Sequence, residues 1–235
     1  VQTCALPILA VTTTNTYDFN PGLGEFVINV FARCGIRRTE LTAQHMEDAR
    51  FESNLLMSDW TADGINLWQV TAASINLDQG QTTWQPQSNI VFLLDVYITV
   101  NNIDRLIMPI SRSDYAAIAN KYQQGYPTSY WFDRVASPIV YLWPVPDQDN
   151  TYSLTYWFMR QAQDSNLAGG AQIDVPWYYL DAFAWGLAAR LAYLYAPEKV
   201  PIIQPRADKA WLRALQVGSE NVPMKISPQL RSYFR

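Results

Sequence analysis

The sequence predicts an α+β protein. Its terminal helices form a helical bundle, an antiparallel β-sheet region is inserted between them, and an extended C-terminal tail follows. Three observations lead there. Apolar residues recur with the 3.6-residue period near both ends, they alternate with period two through the middle, and the stretch after Gly218 holds two prolines and no period. The expected organisation is residues 9–64 as the N-terminal part of the bundle, 65–172 as the inserted β region with one short helix, 173–217 as the helices completing the bundle, and 218–235 as a docking tail.

Residues 1–8, VQTCALPI, read as the in-frame translation of a sequencing-library adapter and are set aside as non-native. A genuine N-terminal segment is the alternative. A secretory signal would need a basic start and a longer apolar core.

The first helix is expected over residues 22–35. Val27, Val30, Phe31 and Cys34 share one face, Pro21 precedes it, and Gly35 sits where a C-terminal cap belongs. A second helix is expected over residues 42–60, with Thr42 as N-cap, Glu47 and Asp48 near the positive end of its dipole, and Met46, Ala49, Leu56 and Trp60 as its apolar stripe. The short link favours an antiparallel helical hairpin.

Strands are expected from INLWQV (residues 65–70) onward. In residues 89–100, Phe92, Leu94, Val96, Ile98 and Val100 fall on one face. Residues 103–110 continue that strand, with Pro109 marking an edge or an end. A short helix over residues 111–121 is capped by Ser111 or Ser113. Residues 81–87 read equally as a loop or a short strand. Residues 130–135, 139–145 and 152–159 look like a meander, with PDQDN (residues 146–150) supplying a turn.

The helical period returns at Pro176 with Asp174 as N-cap. Leu180, Phe183, Leu187, Leu191 and Leu194 line one side, yet the other side is apolar too, so this helix is buried all round or sits in an interface. Pro197 ends it. A last helix, residues 205–217, turns Ala207, Ala210, Trp211 and Ala214 inward and leaves Lys209 and Arg213 in solvent.

The composition is that of a packed protein: 49% hydrophobic and 16% charged, with nine Trp, fourteen Tyr and nine Phe. Aromatics in such number serve cores and protein interfaces alike. A net charge of −4 argues against nonspecific DNA binding over the whole surface, while a local basic lining is compatible with it. No apolar run reaches the length of a membrane span. Cys4 and Cys34 have no metal-ligand spacing, and Cys34 reads as a buried thiol.

Catalytic, metal and cofactor sites are all expected to be absent. His45 is the single histidine and has no nucleophile motif beside it. There is no phosphate-binding glycine loop, and Gly169–Gly170 reads as a connector. The carboxylate pairs Glu47/Asp48 and Asp147/Asp149 suit helix ends and turns. Asp59 and Asp63 flank Trp60, which leaves a wall-degrading or carbohydrate-binding role as an alternative. The aromatic group Tyr126, Tyr130, Trp131, Tyr141 and Trp143 reads as packing or a subunit interface before a ligand platform. The candidate subunit-interface residues are Trp131, Tyr141, Trp143, Trp177 and Tyr178.

Six blocks carry a resemblance to a known family: NPGLGEFVINVFARCGI (residues 20–36), NLLMSDWTADGINLWQV (54–70), ISRSDYAAIANKYQQGYPTSYWFDR (110–134), VYLWPVPD (140–147), YSLTYWFMR (152–160) and DVPWYYLDAFAWGLAARLAYLYAPEK (174–199). In this order and spacing they resemble the head-to-tail adaptor proteins of short-tailed bacteriophages, the tail accessory factors that stabilise packaged DNA. The resemblance runs from about residue 12 to the end and implies a structural virion protein without catalytic residues or cofactors. The implied assembly is a dodecameric ring of this chain beneath the portal protein. It receives the tail hub or nozzle and passes double-stranded DNA without sequence-specific contacts. It involves no membrane, and forms in the host cytoplasm before residing at the head-to-tail junction. Family members reach the portal through C-terminal segments, which makes Leu230, Arg231, Tyr233 and Phe234 the candidate docking residues. A tail-hub or tail-tube ring is the alternative within the same class.

Overall fold

The computed structural model describes residues 16–17, 19–64, 66–167 and 171–219. The protein is mixed α and β, with strands between helices. Residues 1–8 and the candidate docking residues 230–234 lie outside the described residues.

Helix α1 (Leu23–Arg33) buries Leu23, Phe26, Val27, Val30 and Phe31. It ends as the glycine predicts. Gly35 takes φ +82°, its amide donates to the Ala32 carbonyl, and the Ile36 amide donates to the Phe31 carbonyl, which together make a Schellman closure. Lys199 Nζ donates to the Cys34 carbonyl at 2.8 Å, so a cation from the far end of the chain sits at the negative end of α1.

Helix α2 (Ala43–Ala62) starts at Thr42, and His45 completes the cap. The Thr42 amide donates to His45 Nδ1, while the His45 ring stacks on Tyr195 at 4.5 Å. The single histidine is therefore a structural capping residue. Glu47 and Asp48 lie past the first turn and do not serve the dipole as expected: Glu47 pairs with Arg50, and Asp48 accepts from the Tyr195 hydroxyl. A buried polar network closes the other end. Asn66 donates to the Trp60 carbonyl and to Gln69, and Gln69 donates to Thr61. This network turns residues 67–69 into a 3-10 turn, where the sequence predicts the start of a strand.

Among the described residues, eight strands form two four-stranded sheets. They are β1 (Val70–Leu77), β2 (Thr83–Trp84), β3 (Ile90–Val100), β4 (Ile103–Leu106), β5 (Met108–Pro109), β6 (Ser129–Asp133), β7 (Ile139–Trp143) and β8 (Tyr152–Arg160). One sheet has the order β1-β8-β3-β4, the other β2-β7-β6-β5. All neighbours are antiparallel except β5 and β6. One core is built from both sheets, through Leu77, Val96, Ile98, Tyr130, Val140, Leu142, Leu154, Tyr156 and Phe158.

Three strand-level expectations need correction, and one open alternative is decided. The predicted meander does not form, because β6 and β7 pair in one sheet while β8 lies at the centre of the other. Residues 103–110 do not make one strand. β4 and β5 belong to different sheets, and buried Ile107 sits where the chain crosses between them. Pro109 does fall on an edge strand, as its missing N–H demands. In β3 the pairing with β8 shifts between Leu93 and Val96, so Leu93 joins Val96, Ile98 and Val100 in the core, and Phe92 and Leu94 face elsewhere. Residues 81–87 contain the two-residue strand β2.

Helix α3 (Arg112–Ala117) is capped by Ser111 and stops at Ala117, four residues before the predicted end. Helix α4 (Leu180–Tyr195) follows a 3-10 turn at Trp177–Tyr179, and its buried residues include Phe183, Leu187, Leu191 and five alanines. Leu194, placed on the inner stripe by the sequence, is exposed. Asp174 is not the N-cap. It takes two hydrogen bonds from Arg160 at 2.6 and 2.9 Å and a third from the Gln163 amide. Helix α5 (Val200–Gly218) begins before the predicted residue 205 and carries Pro205 inside it. Pro201 falls in its first turn, where no intrahelical N–H bond is lost, whereas Pro205, the sixth residue, removes one such bond.

Buried residues of α1, α2, α4 and α5 share a second core. Trp60 lies at its centre, stacked on Trp211 at 4.5 Å and in tilted or edge contact with Tyr179 and Phe183. Gly186 lets α2 approach α4: a Cβ there would lie 3.1 Å from Leu56.

Candidate assembly surfaces

The aromatic cluster on β6 and β7 divides by strand alternation. Tyr130 points inward and is buried, while Trp131 and Tyr141 stack at 4.7 Å on the outer face. Tyr115 of α3 covers that pair at 5.3 and 5.1 Å, and Trp143 Nε1 donates to the Asn120 carbonyl. Tyr126 meets Tyr152 edge-on. These rings are half-buried packing within the chain, not an open platform for bases or sugars.

Trp177 is different. It is 76% exposed, with Tyr178 against it, and it borders an open groove of about 1090 Å³ between the start of α4 and α1. Tyr17, Phe19, Phe26, Leu180 and Ala184 line the groove with it, and Glu25 and Asp181 supply its acids. The α4–α5 pair leaves Tyr193, Leu194, Ile202, Leu212 and Val217 more than half exposed. The edge strand β4 exposes Ile103 and Leu106. Apolar side chains thus stay exposed in several separate places, although the described residues already fill two cores.

The sequence identifies Trp177 but not Tyr17, Phe19, Ile202, Leu212 or Val217. Its available signal for the α5 residues was their position off the alanine stripe Ala207, Ala210 and Ala214. Asp59 and Asp63 do flank Trp60, but the indole is buried under Trp211, which removes the sugar-platform candidate. Asp149 accepts from the Gln79 amide and Asp147 from the Tyr152 hydroxyl, so both act in their turn. Among the described residues, no three metal-ligating side chains gather, and no helix is long and apolar enough to cross a membrane.

Tyr195, Tyr152 and Cys34 hold their protons most strongly, and burial raises Tyr115, Tyr126, Tyr130, Tyr156 and Tyr179 in the same direction. Burial, then the hydrogen bond to Asp48, pushes Tyr195 up to about 12. Burial, then the bond to Asp147, does the same for Tyr152, to about 12. Burial raises the Cys34 thiol to about 11 against the pull of Lys199. All three are neutral in the folded chain. As pH rises past their ordinary values, 9.0 for the thiol and 10.0 for the phenols, only the unfolded chain releases protons, and stability falls. The melting temperature is expected to hold up to about pH 9 and to drop from there to about pH 12. Tyr152→Phe/Tyr195→Phe should make the drop shallower, with the remainder carried by Cys34 and the other raised tyrosines. A flat profile in the wild type would show that these hydroxyls are not held neutral.

The model of one protein family, the SU10 adaptor protein family, matches residues 10–222. No curated protein matches the chain. The match spans most of the chain and agrees with its resemblance to phage head-to-tail adaptors: this protein belongs to the SU10 adaptor protein family.

Proposed function

We propose that this bacteriophage adaptor is a ring subunit at the head-to-tail junction, seated beneath the portal, where it extends the DNA channel, retains packaged DNA and receives the tail. The observation that carries the reading is family membership over residues 10–222. The separate exposed apolar surfaces support it, because a ring subunit needs two different lateral faces and two axial ones. In this reading the terminal helices act as one bundle, Trp177 and Tyr178 lie in a lateral contact, and the outer rings Trp131, Tyr141 and Trp143 stiffen the sheet face nearest a neighbour. The tail, residues 218–235, docks on the portal through Leu230, Arg231, Tyr233 and Phe234.

The test is to mix protein lacking residues 1–8 with the portal ring of the same phage and weigh the complex by light scattering, beside a form ending at Gly218. Full-length protein is expected to add a ring's mass, and the shortened form none. Binding by neither form, with binding to the tail nozzle, would replace the adaptor reading with a tail-hub one.

A further inference from the structure

Helix α5 has two flanks of opposite charge. On one, Arg206, Lys209 and Arg213 recur at helical spacing between exposed Ile202 and Val217, and none of the three has an ion-pair partner among the described residues. Arg206 lies over the Trp185 ring at 5.2 Å, and Arg33 of α1, which is paired with Asp181, lies over the same ring at 4.4 Å. The other flank faces α2. There Asp208 lines a groove of about 400 Å³ together with Asp59, Asp63, Trp60, Tyr193 and Trp211. Among the described residues Arg190 is the one cation lining it, and it is already engaged by Glu52 and Asp59. Asp63 and Asp208 are exposed and in no ion pair among the described residues.

We infer that the occupant of the acidic α2–α5 groove is the basic flank of α5 from a second copy of this chain, which makes α5 the helix shared by successive subunits. The inference rests on the ring reading above. Charge complementarity carries it: unpaired cations on one side of a helix and unpaired carboxylates on the other cannot meet within one subunit, but they meet between copies related by rotation. Ile202, Leu212 and Val217 give the contact its apolar area. Because each copy presents one flank of each kind, the contact is head-to-tail and repeats around a closed ring. It is also salt-sensitive, since the charges are solvent-facing in the free subunit.

The test uses two variants of the full chain. Lys209→Glu/Arg213→Glu reverses the stripe, and Asp63→Lys/Asp208→Lys reverses the groove. All four positions are exposed, and unchanged melting curves would establish that both variants fold. Each variant alone is expected to load onto the portal at least about tenfold more weakly than wild type. An equimolar mixture should recover loading, because each variant's stripe is then opposite in charge to the other's groove. If wild type loads and both variants load equally well alone, the interface is wrong and the ring reading stands. Loss in the single variants without recovery in the mixture would also overturn the pairing. If wild type neither loads nor self-associates at high concentration, the ring reading fails, and the interface with it.

Discussion

Trp60→Ala is expected to destabilise the fold by about 3–5 kcal/mol, the range for deleting a large buried aromatic side chain. The indole is 5% exposed and touches Tyr179, Phe183 and Trp211, so it joins α2 to α4, α5 and the turn before α4. Its loss leaves a cavity that helices held by the close approach at Gly186 cannot readily collapse into. For a chain of this size the melting temperature should fall by roughly 6–20 °C. Trp60→Phe should fall much less, because one ring still fills the stack. Calorimetry on the three proteins decides it. A loss below about 1 kcal/mol would mean that the four-ring stack contributes little beyond what the aliphatic core supplies.

The second large effect is expected at Asp174. Its carboxylate holds Arg160 through both guanidinium nitrogens and also accepts from the Gln163 amide, and both ion-pair side chains are about one-fifth exposed. Among the described residues, Asp174→Ala leaves the guanidinium with only the Gln161 carbonyl and the Gln163 amide without its acceptor, at a cost of about 2–4 kcal/mol. Arg160 ends β8, and Asp174 precedes the turn into α4. The pair therefore ties the two-sheet core to the helical one, with a second tie between Asn54 and the Ser165 backbone. Urea unfolding should lose its single transition in the variant, because the helical and sheet halves then unfold at different concentrations. Arg160→Met/Asp174→Leu should regain most of the loss, since neither charge is left alone. If the double variant is as unstable as the single one, packing and not the ion pair holds this junction.

What the sequence made legible follows the range of the interactions. Helix α1 and its end were readable because Val27, Val30, Phe31, Cys34 and Gly35 lie within a dozen residues and act locally. Thr42 as N-cap and the inward face Tyr152, Leu154, Tyr156 and Phe158 were readable for the same reason. The errors fall where a distant partner decides. Asp174 has the chemistry of an N-cap, but Arg160 fourteen residues back takes it. The β3 face switches because a bulge against β8 shifts the register, and a bulge leaves no mark on an alternating run of apolar residues. The meander failed because a turn such as residues 146–150 serves a hairpin and a change of sheet equally well. The exposed apolar surfaces were half legible. An exposed Trp177 beside a proline suggests a contact, whereas Ile202 and Val217 are apolar residues in an amphipathic helix until the structure shows which side is covered.

The pairing of β1 with β8, and of α1 and α2 with α4, has a consequence for synthesis. Neither core can close until the second half of the chain has left the ribosome. Trp60 emerges roughly 120 residues before Tyr179, which at about 5–20 residues per second is about 6–24 seconds. Through that interval the apolar sides of α1 and α2 have no partner, and β1 has no neighbour to pair with. Such long-range closure slows folding relative to a helical bundle of local contacts. The nascent chain is therefore expected to engage chaperones that cover apolar helices, and expression at low temperature with such a chaperone should raise the soluble yield more than any change to the surface of the finished protein.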